Sequence, residues 1–238
     1  MALPTMDFPT YELELPSTKK KVKYRPYLVK EEKVLLLALE TEDDKNVKDA
    51  VVNLLKSCIK SRIKVEDLSI FDLEYIFLNI RAVSVGEEVE MRVTCQDDGE
   101  TEIPYKLNLT SIEVFFPEGH SNKIMLTDTT GVIMKYPSLN RFVDANFGTG
   151  KQVTPENVTE VIAESIDQIF QGDDVYDSST TTPKEFIKFV ESMTNAQMEK
   201  LQKFFETSPR LQHSFKVKNP KTGKESEYTI SGLNNFFG

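Results

Sequence analysis

Gly148-Thr149-Gly150-Lys151 is the stretch that comes nearest to a phosphate-binding loop. Such a loop needs Gly-x-x-x-x-Gly-Lys-Ser/Thr after a strand, so that backbone amides and the lysine surround the phosphates and a hydroxyl holds magnesium. Ala145 stands where the first glycine belongs and Gln152 where the hydroxyl belongs, so the segment reads as a loop between helices. Asp97-Asp98-Gly99-Glu100 offers carboxylates. A calcium loop spreads its oxygens over about twelve residues, and here they sit in one tight turn. Cys95 has no second cysteine at metal-ligand spacing, and His120 and His213 lie far apart, so the sequence gives no zinc pattern. A serine or cysteine nucleophile needs a base, usually histidine. His213 lies beside Ser214, but no nucleophile motif accompanies them. Carboxylates are abundant, yet no pair is marked as acid and base. No catalytic, cofactor-binding or metal-ligating residue is therefore expected. A small hydrolase or nucleotide-binding enzyme built on Gly148 to Lys151 stands as the contrasting class.

The elements that would position these groups begin with charge and composition. Lys and Arg number 29 against 38 Asp and Glu, a net charge of −9. That balance argues against a general nucleic-acid binder, which needs a positive field. The basic run Lys19 to Arg25 is read as one solvated strand and turn facing the acidic residues of Tyr11 to Leu15. Contact with nucleic acid or an acidic partner is its functional alternative. With 39% apolar and 28% charged residues the chain reads as a soluble globular protein. No run has the length of a membrane span, and the N-terminus lacks a signal-peptide layout. Cys58 and Cys95 lie in unlike contexts, which fits a reducing cytoplasm.

The longest apolar stretch, Leu68 to Gly86, predicts the central helix. Ser69 is placed as its N-cap, Asp72 stands three residues on, and Gly86 ends it. Apolar residues cover two of its faces, so it must be buried on more than one side, and the other helices are expected to pack on it. Tyr11 to Leu15 and Val22 to Tyr24 alternate as a hairpin with an acidic and a basic strand. Helices follow at Lys30 to Glu40 and Lys45 to Lys60, the second with Val47, Val51, Leu54, Leu55 and Cys58 at the spacing of one buried face. Val89 to Leu109 forms a hairpin about Asp98-Gly99, the favoured pair for a tight turn. A second hairpin, Lys123 to Leu126 with Val132 to Tyr136, is expected about Thr129-Thr130-Gly131. Helices are then expected at Pro137 to Ala145, Pro155 to Phe170, Pro183 to Val190 and Asn195 to Thr207, with Thr182 and Thr194 as N-caps of the last two and Gly172 to Thr182 as loop. His213 to Lys218 and Glu225 to Ile230 close the chain as a hairpin, and Leu233 to Phe237 forms a short apolar tail.

The expected fold is α+β: a helical bundle with a small antiparallel β-sheet insertion and terminal β-hairpins. The expected division is 1–86 as a hairpin and three-helix unit, 87–136 as an antiparallel β subdomain, and 137–238 as C-terminal helices with the closing hairpin, packed on 1–86.

Several segments together resemble one family. They are Pro9 to Ser17, Tyr24 to Lys33 (YRPYLVKEEK), Phe71 to Leu78 (FDLEYIFL), Ser84 to Glu87, Cys95 to Thr101 (CQDDGET), Asn219 to Gly223 (NPKTG), Gly232-Leu233 and Phe236 to Gly238. Their order resembles the baseplate hub and hub-assembly proteins of T4-like contractile-tailed phages, from near residue 8 to the last residue and most weakly between about 140 and 200. The resemblance implies a non-catalytic protein that binds phage baseplate hub and tail proteins while the baseplate is built. It implies location in the host cytoplasm during assembly, with a stoichiometric place in the virion hub as the alternative. No cofactor, nucleic acid or membrane is expected as a partner. Strand edges and the terminal Leu233, Phe236 and Phe237 are the candidate partner-binding groups, with a tail docked on this protein's own core as the other reading of those three residues.

Overall fold

The computed structural model describes residues 7–40, 43–138 and 158–232. These residues form two compact units. The first comprises the chain up to Phe115 and again from Arg210; the second comprises Phe116–Pro137 and the chain from residue 158 to Pro209. The division passes through the stretch 87–136, so that its first hairpin belongs to one unit and its second to the other.

The first unit opens with a hairpin of β1 (Tyr11–Glu14) and β2 (Lys21–Tyr24). Leu13, Val22 and Tyr24 are buried on one side, and Lys21 pairs with Glu12 at 3.0 Å across the strands, as the alternating charges predict. Helix α1 (Val29–Glu40) and helix α2 (Asp44–Cys58) follow. Asp43 caps α2 by accepting from the amides of Lys45 and Asn46. The face Val47, Val51, Leu54, Leu55 and Cys58 is buried, as its 3.6-residue spacing requires. Helix α3 (Ile70–Val85) runs between Ser69 and Gly86, with the Asp72 amide donating to the Ser69 hydroxyl. It is buried on nearly every side, from Phe71 and Leu73 to Ile80 and Ala82.

What covers α3 differs from the sequence expectation. Strands β5 (Glu113–Phe115) and β10 (Arg210–Lys218), with the 3₁₀ turn Leu109–Ser111, lie against it. Its apolar residues share one core with α2, the first hairpin, Leu107, Ile112 and Leu211. β10 is the middle of a three-stranded sheet, flanked by β5 and by β11 (Glu225–Ser231). Strands β3 (Glu88–Thr94) and β4 (Glu102–Asn108) make a separate hairpin.

The second unit is a four-stranded antiparallel sheet in the order β6 (Lys123–Met125), β7 (Thr130–Met134), β8 (Ile166–Gln171), β9 (Asp174–Asp177). Helices α4 (Val158–Glu164), α5 (Pro183–Glu191) and α6 (Asn195–Glu206) share its core through Ile162, Phe186, Val190, Leu201 and Phe204. Thr182 and Thr194 begin α5 and α6 with reciprocal bonds to Glu185 and Gln197.

The helical-bundle expectation is thereby corrected. Among the described residues there are six α-helices and four small antiparallel sheets, a mixed fold in which neither type dominates. Two local misreadings contribute. The helix expected over Pro155 to Phe170 stops at Glu164 and becomes β8. Ile166 pairs with Met134 and Ile169 with Val132, but a bulge lets Asp167 drop out of the register. One extra residue puts positions three apart on the same face of a strand, which imitates helical spacing. The segment Gly172 to Thr182, expected as loop, contains β9, reached by a tight turn at Gly172 with φ 58°. Gly131 also lies within β7 rather than in the turn; a Cβ there would meet the Phe170 ring and come 2.7 Å from the Ile124 carbonyl. The helix expected over Pro137 to Ala145 falls almost wholly outside the described residues.

Candidate functional site

The motif residues prove to be tied to one another. In the first tie, Asp72 at the start of α3 is almost fully buried. It accepts from the Ser17 amide at 3.1 Å, from the Ser69 hydroxyl at 2.7 Å and from the Ser17 hydroxyl. The β1–β2 turn is thus fastened to the positive end of α3, where a carboxylate also suits the helix dipole.

In the second tie, Arg25 and Glu31 form a bidentate pair, with Nη1 donating to Oε2 at 2.9 Å and Nη2 to Oε1 at 2.7 Å. Both side chains are about nine-tenths covered, at 11% and 12% exposure. Nη1 also donates to the Pro26 carbonyl, the Leu28 amide donates to Glu31 Oε2, and the Arg25 amide donates to the Cys58 carbonyl. The strand end, the start of α1 and the end of α2 meet at this one ion pair. The Arg25 guanidinium holds the Glu31 carboxyl below its usual range, against an opposing effect of burial. Burial pushes the Cys58 thiol up to about 11, so it is a packed apolar group and not a ready nucleophile.

In the third tie, the Asn219 side chain donates to Asp97 Oδ1 and Asp98 Oδ2, both at 2.9 Å. The Thr222 hydroxyl donates to Asp97 Oδ2, and Asp98 also accepts from the amides of Glu100 and Thr101 and from the Thr101 hydroxyl. Hydrogen bonds from Asn219 and Thr222 lower Asp97, and bonds led by Thr101 lower Asp98 further. The turns of two hairpins far apart in sequence are joined here. Tyr228 adds to the join, accepting from the Gln96 amide and donating to the Thr94 carbonyl. Behind it Tyr105 stacks on Phe215 at 4.0 Å between ring centres. The carboxylates that suggested a calcium turn are therefore engaged by protein donors. Cys95 beside them is buried, and desolvation raises its thiol.

In the second unit His120 has both ring nitrogens engaged by side chains. Thr207 Oγ1 donates to the Lys203 carbonyl at 2.7 Å, so it accepts from His120 Nδ1 at 2.9 Å. His120 Nε2 then accepts from the Tyr136 hydroxyl at 2.8 Å. The ring stacks on Phe204, and burial lowers its proton affinity. That is a neutral, structural histidine. His213 lies by Tyr105 and Phe215 in the first unit, lowered by burial in the same way.

Sequence reasoning found the motif segments but not their pairing, because Ser17 and Asp72 lie 55 positions apart and Asn219 lies 122 from Asp97. Gly148 to Lys151 and the terminal Leu233, Phe236 and Phe237 lie outside the described residues. Among the described residues no group of three or more His, Cys, Asp or Glu is arranged to hold a metal, and no helix is long and apolar enough to cross a membrane.

With Asp72, Arg25, Glu31, Asp97, Asp98 and Asn219 bonded within the chain, the exposed apolar groups are the next surface feature. On α1, Val29 is 81% exposed, Val34 and Leu36 are each 54%, and Leu37 is 50%. On β9, an edge strand, Val175 and Tyr176 are exposed. Exposed apolar groups gathered on one element mark docking surfaces more often than catalytic ones.

Comparison with protein families gives a match to the family described as T4 bacteriophage base plate protein, over residues 8–238. Comparison with curated proteins and with solved structures gives no match. Because the match covers all but the first seven residues, the chain belongs to the T4 bacteriophage base plate protein family.

Proposed function

We propose that this protein acts during baseplate construction by binding hub and tail subunits, without catalysing a reaction. The observation that carries the proposal is the inward use of six polar groups from the motif segments: Asp72, Arg25, Glu31, Asp97, Asp98 and Asn219 all bond within the chain. The motif then preserves a shape rather than a reactive centre. Docking falls to exposed apolar groups and strand edges. Among the described residues β9 has no strand on its outer edge, which carries Val175 and Tyr176 and is suited to an added partner strand. The terminal Leu233, Phe236 and Phe237 are proposed as further anchors.

Tagged protein recovered from infected cells should bring down phage tail proteins that a matched control does not. Recovery of no tail protein would end the proposal. Protein composition of purified virions separates a transient assembly factor, absent from the particle, from a resident hub subunit present in stoichiometric amount.

A further inference from the structure

Beyond its exposed apolar groups, α1 carries a charge pattern on the same face. Lys33, Leu36, Leu37 and Glu40 fall at intervals of three, four and seven residues, one stripe of a helix. All four are exposed. Leu35 and Ala38 take the other side of the helix, against the core. Among the described residues neither Lys33 nor Glu40 has an ion-pair partner. They cannot pair with each other, because seven residues separate them by about 10 Å along the axis.

The stripe is complementary to its own reverse. A two-fold axis through the midpoint of Leu36 and Leu37 brings Lys33 of one copy level with Glu40 of the other. It brings Leu36 level with Leu37. A partner of unrelated sequence would not require this symmetry; an isologous contact does, since each residue must meet its counterpart across the axis. We infer that α1 joins two copies of this chain as an antiparallel helix pair, with Leu36 and Leu37 at its centre and Lys33–Glu40 pairs on either side. The inference does not depend on the docking proposal, because it concerns the chain alone.

Sedimentation velocity of the full chain over a wide concentration range tests it. The unmodified protein should form a dimer. Lys33→Glu places two acids opposite each other and Glu40→Lys places two lysines opposite each other, and each variant alone should weaken the dimer about tenfold at low salt. Mixing the two variants restores opposite charges on both sides of the axis, so a mixed dimer should form with about the original strength. Leu36→Asp combined with Leu37→Asp should leave monomer. All of these positions are exposed, so thermal unfolding should stay near that of the unmodified chain. A monomer at every concentration would overturn the inference. So would a dimer indifferent to both charge reversals, or single variants that do not recover on mixing.

Discussion

Replacing Asp72 by Ala removes the acceptor for three donors at once: the Ser17 amide, the Ser17 hydroxyl and the Ser69 hydroxyl. Hydrogen bonds to a charged group each contribute about 1.5–3 kcal/mol net. The two hydroxyls can turn toward other acceptors, whereas the amide cannot. The expected loss is therefore about 3–5 kcal/mol rather than the full sum. Asp72→Asn keeps the shape and one acceptor and removes the charge, so its cost should be smaller, about 1–2 kcal/mol. Ser17→Ala in the Asp72→Ala background should add little, since its partner is already gone. Urea unfolding followed by circular dichroism gives the free energies, and hydrogen exchange of the α3 amides assigns the loss to the first unit. If Asp72→Ala costs less than about 0.5 kcal/mol, the level of an ordinary surface change, the tie contributes nothing and the reasoning fails.

Three further outcomes follow from the same structure. Ile76 is fully buried in α3, and Ile76→Ala should cost about 2–5 kcal/mol in the same unfolding assay. Burial holds His120 and His213 below the ordinary histidine value of 6.5, so the unfolded chain takes up protons more readily. Their contribution to stability is then fully present above pH 6.5 and declines as pH falls toward their folded-state values. Unfolding free energies measured at falling pH should decrease in that window, and His120→Gln should remove the share belonging to the second unit. Both cysteines are buried and their thiols raised, so neither should react with a thiol reagent until the protein unfolds. Asn219→Ala opens the join beside Cys95 and should speed labelling of that thiol about tenfold or more; an unchanged rate would show that Asn219 does not hold the two turns together.

How much of this was readable in the sequence depended on range. Ser69, Thr182 and Thr194 were legible as helix starts because a cap bonds within a few residues. Asp98-Gly99 was legible as a turn for the same reason, and Gly99 does take φ 68° there. The face of α2 was legible from its period alone. β8 was not, because the bulge at Asp167 gives a strand the apolar spacing of a helix. β9 was hidden in a polar stretch in which Val175 and Tyr176 are the apolar members. The neighbours of α3 could not be read because a helix apolar all round says only that it is covered, not by what. The Asp72 tie, the Asn219 tie and the His120–Thr207 bond were equally out of reach, since polar pairing between distant segments leaves no period in the chain.

The central claim is that Asp72, Arg25, Glu31, Asp97, Asp98 and Asn219 act by holding the fold and not by taking part in a reaction or in direct recognition. It is tested most directly by supplying Asp72→Asn, Arg25→Lys and Asn219→Ala variants to a phage lacking the matching gene, and measuring tail assembly against the folded fraction of each variant. Assembly should track the folded fraction and return to normal at temperatures where the variant is folded. A variant that is fully folded and still assembles no tails would contradict the claim.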